Sequence, residues 1–142
     1  MLYPQTTQSE SYFEHDADIG VVGRGATLES AFEAAARATF AIMTDLAQVR
    51  ALDSVTVEFE EADEELALVR WLNLLIGSAR ERRLVFGRFW LERDGVRWRG
   101  GASGEPWRPE LERGVEVKGA TLTMLAVRRA DGFWEARCVV DV

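Results

Sequence analysis

The sequence has 142 residues and a formal net charge of −7, with 47% hydrophobic and 29% charged residues, a composition typical of a single globular domain. One cysteine and one histidine exclude an internal disulfide, a multi-cysteine zinc site and a histidine-rich catalytic metal site. Residues 1–65 hold 14 acidic and 3 basic side chains, whereas residues 66–142 hold 10 and 14. Because phosphate repels an acidic surface, we expect no direct stable nucleic-acid binding, and a metal ion or a basic protein as partner.

The chain is interpreted as one domain over residues 1–142, with residues 1–10 as a flexible N-terminus. No apolar run is long enough to span a bilayer. The first fifteen residues lack the basic and apolar regions of a secretory signal. These features predict a cytoplasmic protein with no membrane partner.

The first elements in chain order are a short strand, an acidic turn and a second strand within YFEHDADIGVVGRG. We expect Gly20, Gly23 and Gly25 to permit turns or bulges there. Thr27 is a candidate cap for a helix over residues 28–43, in which apolar residues recur at helical spacing.

The stretch SVTVEFEEA alternates apolar and polar residues and predicts a half-buried strand. Asp63 is the expected cap of a second helix over residues 64–83, whose acidic start and basic end suit the helix dipole. Four further strand candidates are RLVFGRFWLER, GVRWRGGAS, GVEVKGATLTMLAVRR and GFWEARCVVDV.

Hairpin turns are expected at Asp94-Gly95 and Asp131-Gly132, and one substantial loop at residues 100–114. Helices and strands come in runs rather than in strict alternation. The pattern therefore predicts an α+β fold, with two helices packed on a mostly antiparallel sheet of about five to seven strands.

Cys138 and His15 are the residues that could form a nucleophilic dyad. Alternation along the last strand predicts that Cys138 points at the core, which disfavours the exposed thiolate that a dyad requires. His15 precedes Asp16 and Asp18, which could orient it as a general base or could simply form a turn.

The aspartates near the two ends of the chain are candidate metal ligands. Hard divalent cations prefer oxygen donors, and Val142 at the end of the sequence adds a main-chain carboxylate next to Asp141. Asp16, Asp18 and Asp141 would meet if the first strand pairs with the last, and otherwise they face solvent. Among five tryptophans, those in VRWRG and GEPWRP are the better candidates for a partner surface.

Several motifs occur together in a characteristic order, namely EHDADIG, GATLESAFEAAARATFAIMTD, VRWLNLLI, GEPWRPE, GVEVKGAT and a final VVDV. In this order the sequence resembles the archease family from about Tyr12 to Val142. The resemblance implies a single archease-like domain that is not itself an enzyme. It implies an accessory protein that promotes guanylylation and multiple turnover of an RtcB-type RNA ligase in tRNA splicing and RNA repair.

The resemblance also implies a divalent metal site, with calcium as the expected ion and manganese or magnesium as alternatives. Its ligands would be Asp18, which ends the His-x-Ala-Asp motif, together with Asp141 and Val142. One departure is Leu122-Thr123, where many archeases have a Tyr-His pair.

Two other functions remain open from the residues alone. One is a small metal-dependent phosphoester hydrolase that uses Asp18 and Asp141 as ligands and His15 as base. The other is an interaction module without metal, in which the acidic residues only cap turns.

Overall fold

A computed structural model describes residues 18–142. Seven strands and two α-helices follow in chain order: β1 Asp18–Gly25, α1 Leu28–Ala41, β2 Asp53–Glu60, α2 Glu64–Arg82, β3 Leu84–Asp94, β4 Arg97–Pro106, β5 Gly119–Ala120, β6 Ala126–Ala130 and β7 Phe133–Asp141. A short 3-10 helix, Leu46–Gln48, lies between α1 and β2. The expected α+β class, with two helices and up to seven strands, is confirmed.

The seven strands form two antiparallel sheets, which the strand pattern did not predict. In the first, β7 is central, with β1 on one side and β5 and β6 on the other; in the second, β4 lies between β2 and β3. The helix α1 packs against β1 and β7 of the first sheet and against β3 of the second. One helical layer thus joins the two sheets around a shared core.

Both helices begin at the residues that the sequence indicates. The Thr27 side chain accepts from the backbone N–H of Ser30, and the Ser30 side chain accepts from the backbone N–H of Thr27, which completes a capping box. The Asp63 carboxylate caps α2 by accepting from two backbone N–H groups. At its other end, α2 stops at Arg83, which adopts a left-handed conformation with φ 58°.

The predicted hairpins are confirmed, with positive φ at Gly95, Asp131 and Gly132. The expected strand GVEVKGATLTMLAVRR is wrong as one element, because only the short β5 and β6 form and a turn with φ 52° at Met124 separates them. The expected loop at residues 100–114 begins later, since β4 continues to Pro106. The strand predicted before the acidic turn lies outside the described residues.

The glycines near the start were expected in turns or bulges, and this expectation is wrong. Gly20, Gly23 and Gly25 all lie within β1 in regular pairing with β7. A Cβ atom at Gly23 would meet the backbone of α1, whereas one at Gly20 would meet nothing within 4 Å. Gly23 therefore permits close approach of α1 to the sheet rather than a turn.

Trp98 was one of two tryptophans named as candidates for a partner surface, and the structure contradicts this for Trp98. Its side chain is 1% exposed and stacks with Phe32 and with Phe59 at centroid distances of 5.4 and 5.8 Å. Its indole N–H donates to the carbonyl of Glu61 at 2.9 Å. Polar sequence neighbours misled the prediction, because in β4 they occupy the opposite face of the strand.

Glu105, in the motif GEPWRPE, is a fully buried carboxylate that fastens the segment after β4. Arg108 donates to it at 2.9 Å, and Arg50 donates through its backbone N–H at 2.7 Å and its side chain at 2.9 Å. These arginines, with Arg108 the larger cause, lower the pKa of Glu105 to about 2. Glu105 and its two arginines thus tie the chain after the 3-10 helix to the loop between β4 and β5.

Candidate functional site

The first and last described strands meet at a pair of carboxylates. In the antiparallel pairing of β1 with β7, Asp18 lies directly opposite Asp141. Directly opposed residues have Cβ atoms about 4.5–5.5 Å apart on the same face of the sheet. Cys138 and Val140 face the core, so alternation places Asp141, and with it Asp18, on the outer face.

A third strand brings more main chain to the same end of the sheet. Gly119 of β5 pairs with Asp141 from the other side, and the backbone N–H of Lys118 donates to the carbonyl of Asp141 at 2.8 Å. Asp141 is therefore held by neighbours on both sides, whereas Asp18 begins β1. The carboxylate pair, meaning Asp18 and Asp141, is the candidate functional site.

The helix α2 braces this end of the sheet through two polar side chains. Asn73 donates to the carbonyl of Ala120 at 3.2 Å and accepts from its N–H at 2.8 Å. Arg80 donates to the carbonyls of Val117 and Lys118 at 3.4 and 3.2 Å. Because these bonds satisfy main-chain groups of the two-residue β5 and of the two residues before it, they fix where β5 lies beside β7.

The donors at this site fit a hard divalent cation. Two carboxylates on one face supply anionic oxygen, and Val142, which is partly buried against the core, adds main-chain oxygen next to Asp141. Within residues 18–142, no group of three or more His, Cys, Asp and Glu side chains is placed to hold a metal ion. Other ligands would therefore come from main-chain oxygens, from water or from a partner.

Two of the residues singled out from the sequence, His15 and Asp16, lie outside the described residues. Within the described residues, Asp18 lies opposite Asp141, and Val142 follows Asp141 directly; the expectation that His15 acts as a base is not tested by them. Cys138 is 2% exposed, and burial raises the pKa of its thiol to about 11. This confirms the prediction that Cys138 points at the core, and it argues against a nucleophilic thiolate.

A cleft of about 550 Å³ lies between the end of α2 and the loop after β4. Trp107, the other tryptophan expected at a partner surface, lines this cleft with one face covered by the Arg113 guanidinium at 4.1 Å. Arg80, also in the lining, is the residue that binds the main chain before β5. The contacts of Arg80 and Arg113 in this cleft hold the loop between β4 and β5 in place.

Sequence reasoning missed Asn73 and Glu105. For Asn73 a signal was present, because it is the one polar residue inside the apolar run WLNLLI. A polar residue there indicates a main-chain partner rather than core packing. For Glu105 the motif gave its position, but burial of its carboxylate depends on Arg50, which is distant in sequence.

The arrangement defines a class of protein: a two-helix, two-sheet α+β domain with a carboxylate pair where its first and last described strands pair. The Archease protein family (MTH1598/TM1083) matches residues 11–142. The chain therefore belongs to the archease family, as the sequence resemblance predicted.

Relatives and solved structures agree with this assignment. The chain is 37% identical over 134 residues to the protein archease of Sulfolobus acidocaldarius, covering 92% of this chain and 96% of the relative. It is 39% identical over 137 residues to that of Thermococcus gammatolerans, with the same coverages of 92% and 96%. The solution structure of Methanobacterium thermoautotrophicum protein 1598 superposes with a TM-score of 0.79 at 34% identity, covering 89% and 93% of the two chains.

A more distant solved structure supports the fold alone. It is the crystal structure of an archease, a possible chaperone, from Thermotoga maritima. It has a TM-score of 0.59 and 18% identity, and it covers 90% of this chain and 93% of that chain.

Proposed function

We propose that this protein is a non-enzymatic accessory factor that promotes guanylylation and multiple turnover of an RtcB-type RNA ligase. The observation that carries the proposal is the Asp18–Asp141 pair in a chain of the archease family. The Thermotoga maritima relative is described as a possible chaperone, and an assisting role for this chain agrees with that description. RNA splicing and repair are the processes in which such a ligase acts.

The charge of the chain suits a basic partner. A net charge of −7 favours approach to a surface that binds RNA and nucleotide, since such surfaces are positively charged. Complementary charge accelerates encounter and sets orientation more than it sets affinity. The outer-face carboxylates would then approach the nucleotide-binding region of the ligase.

A divalent cation, with calcium as the first choice and manganese or magnesium as alternatives, would be held by Asp18, Asp141 and main-chain oxygen of Val142. When bound, the cation supplies positive charge of the kind that neutralises phosphate during nucleotidyl transfer. The part played by this chain is to hold two carboxylates side by side and to keep their strands aligned. The braced β5 and the central position of β7 serve that purpose.

The test is RNA ligation by an RtcB-type ligase of the same organism, under single-turnover and multiple-turnover conditions, with and without this protein. Asp18→Asn is the test variant. Asp53→Asn is the matched control, because Asp53 is likewise an exposed aspartate at the first position of a strand but lies in the other sheet. We expect the wild type and the control to restore turnover and guanylylation, and Asp18→Asn to lose most of the effect.

Two other outcomes would count against the proposed function, and a third against the role of the cation. If the wild type changes neither guanylylation nor turnover, the accessory function is wrong. If the isolated protein hydrolyses phosphoesters and His15→Ala abolishes the activity, the hydrolase alternative replaces it. If Asp18→Asn loses stimulation but still binds metal, the carboxylate acts on the ligase by contact rather than by holding the cation.

A further inference from the structure

The turn between β5 and β6, residues 121–125, exposes two large apolar side chains next to the candidate site. Leu122 is 63% exposed and Met124 is 67% exposed. Of the large hydrophobic residues in the part of the chain that the structure describes, only Leu52, at 62%, is comparably exposed. We call Leu122 and Met124 the apolar knob.

Hydrogen bonds to the central strand β7 hold this turn in place. The Thr121 N–H and hydroxyl both donate to the carbonyl of Val139, at 3.0 and 2.8 Å. The Val139 N–H donates back to the carbonyl of Thr123 at 3.2 Å, and the Thr123 N–H donates to the Thr121 hydroxyl at 3.2 Å. These bonds hold Thr121 and Thr123, the residues on either side of Leu122. The backbone of Leu122 is therefore fixed beside β7.

Met124 is held in a conformation that its side chain does not favour. Its φ of 52° lies in the left-handed region, which is uncommon for residues other than glycine, asparagine and aspartate. Such a conformation persists where surrounding contacts determine it, and it is concentrated at binding sites. Here the result is that a flexible apolar side chain is left mostly in solvent, at 67% exposure.

The apolar knob lies beside the carboxylate pair. Gly119 pairs with Asp141 and Ala120 with Val140, so Leu122 follows within three residues of the chain that flanks the carboxylate. The knob and the acidic pair therefore belong to one end of the first sheet. The turn itself is bonded to Val139, two residues before Asp141, so a partner that covers this end of the sheet would reach both the acidic pair and the turn that carries Leu122 and Met124.

We infer that the apolar knob inserts into an apolar pocket of the protein partner that the carboxylate pair faces, next to positively charged groups of that partner. This inference rests on the proposed function and names the contact that would carry affinity. Acidic groups steer the encounter, and a central apolar anchor that loses its water supplies most of the binding energy. A second copy of this chain is disfavoured as occupant, because it would bring two acidic pairs and two net charges of −7 together.

The experiment measures the dissociation constant between this protein and an RtcB-type ligase of the same organism by calorimetry, together with ligation turnover. The test variants are Leu122→Ser and Met124→Asn, singly and combined. Asparagine tolerates the left-handed backbone, so Met124→Asn removes the apolar group without adding strain. Leu52→Ser is the matched control, since Leu52 has the same exposure and lies before β2 of the other sheet.

We expect each knob variant to weaken binding about tenfold, as loss of one well-buried aliphatic side chain does, and the combined variant about a hundredfold. The control should bind like the wild type, and the volume-conserving exchange Leu122→Met should retain binding. Melting temperatures of the Leu122 and Leu52 variants should equal that of the wild type, because these side chains are exposed, and Met124→Asn should be at least as stable because asparagine tolerates the left-handed backbone.

Three results would overturn the inference. If the knob variants bind and stimulate like the control while the wild type is active, the knob is not the anchor although the proposed function stands. If the wild type neither binds nor stimulates the ligase, the proposed function fails and the inference fails with it. If sedimentation shows that the wild type is a dimer and the combined variant a monomer, the knob contacts a second copy.

Discussion

The packing of α1 on β1 leads to a sharp prediction about Gly23. In Gly23→Ala, the added Cβ would lie 2.8 Å from the Cα of Ala35, and closer still to the carbonyl oxygen of Ala31 and the nitrogen of Ala35. Ordinary van der Waals contact for such an atom begins at 3.4 Å. Because all of these atoms belong to the helix backbone, no rotation of a side chain can relieve the overlap.

The expected cost follows from how far α1 must move. To bring even the Ala35 Cα to ordinary contact, the helix and strand must separate by at least about 0.6 Å, which loosens the packing of buried α1 residues such as Phe32. Overpacking a core typically lowers the free energy of unfolding by about 1–3 kcal/mol. Because the atoms in the way of the new Cβ belong to the helix backbone and cannot rotate aside, we expect Gly23→Ala to cost at least about 3 kcal/mol. For a domain of this length that lowers the melting temperature by about 9 °C.

Urea and thermal unfolding, followed by circular dichroism, measure the effect. Gly20→Ala is the control, because Gly20 lies in the same strand and a Cβ there meets nothing within 4 Å. We expect this control to leave stability unchanged or to raise it by about 0.5 kcal/mol. If Gly23→Ala and Gly20→Ala unfold at the same urea concentration, the close approach of α1 to β1 is not what requires glycine.

Three further predictions concern the charged groups and the thiol. The pKa of Glu105 is about 2, against an ordinary value of 4.5. Its ionised carboxylate therefore stabilises the fold above pH 4.5, and this contribution is lost as the pH falls towards 2. In urea titrations from pH 6 to pH 2, the stability advantage of the wild type over Glu105→Gln should shrink. Calcium at about a hundred times its dissociation constant should raise the melting temperature by about 8–11 °C in the wild type and in Asp53→Asn, and by much less in Asp18→Asn; equal shifts in all three would place the cation elsewhere. Cys138 should resist alkylation in the native protein at neutral pH and react on unfolding, because burial raises its thiol pKa to about 11; rapid native labelling, measured by mass spectrometry, would contradict that burial.

Local signals in the sequence predicted the helices well. Thr27 and Asp63 cap them through bonds that span only two or three residues, so no knowledge of the rest of the fold was required. The hairpins at Gly95 and Gly132 were predictable for the same reason, since they depend on positive φ at residues that allow it.

Features that depend on distant parts of the chain were predicted less well. The division into two sheets follows from which strands pair, and alternation within a strand does not contain that information. Trp98 is covered by Phe32, which is far from it in sequence. Its own neighbours, both arginines, therefore gave the opposite indication.

The candidate site shows the same distinction within a single pair of residues. The sequence supplied Asp18 and Asp141, and the pairing of β1 with β7 places them side by side across more than a hundred residues of chain. That pairing has unequal support: β7 is bonded on both sides, whereas β1 is bonded to β7 alone among the described strands. Asp141 is thus the better-fixed carboxylate, and Asp18 is the one whose position depends on β1 staying paired. Gly23 is therefore linked to the site, because a helix forced away from β1 would loosen the strand that presents Asp18.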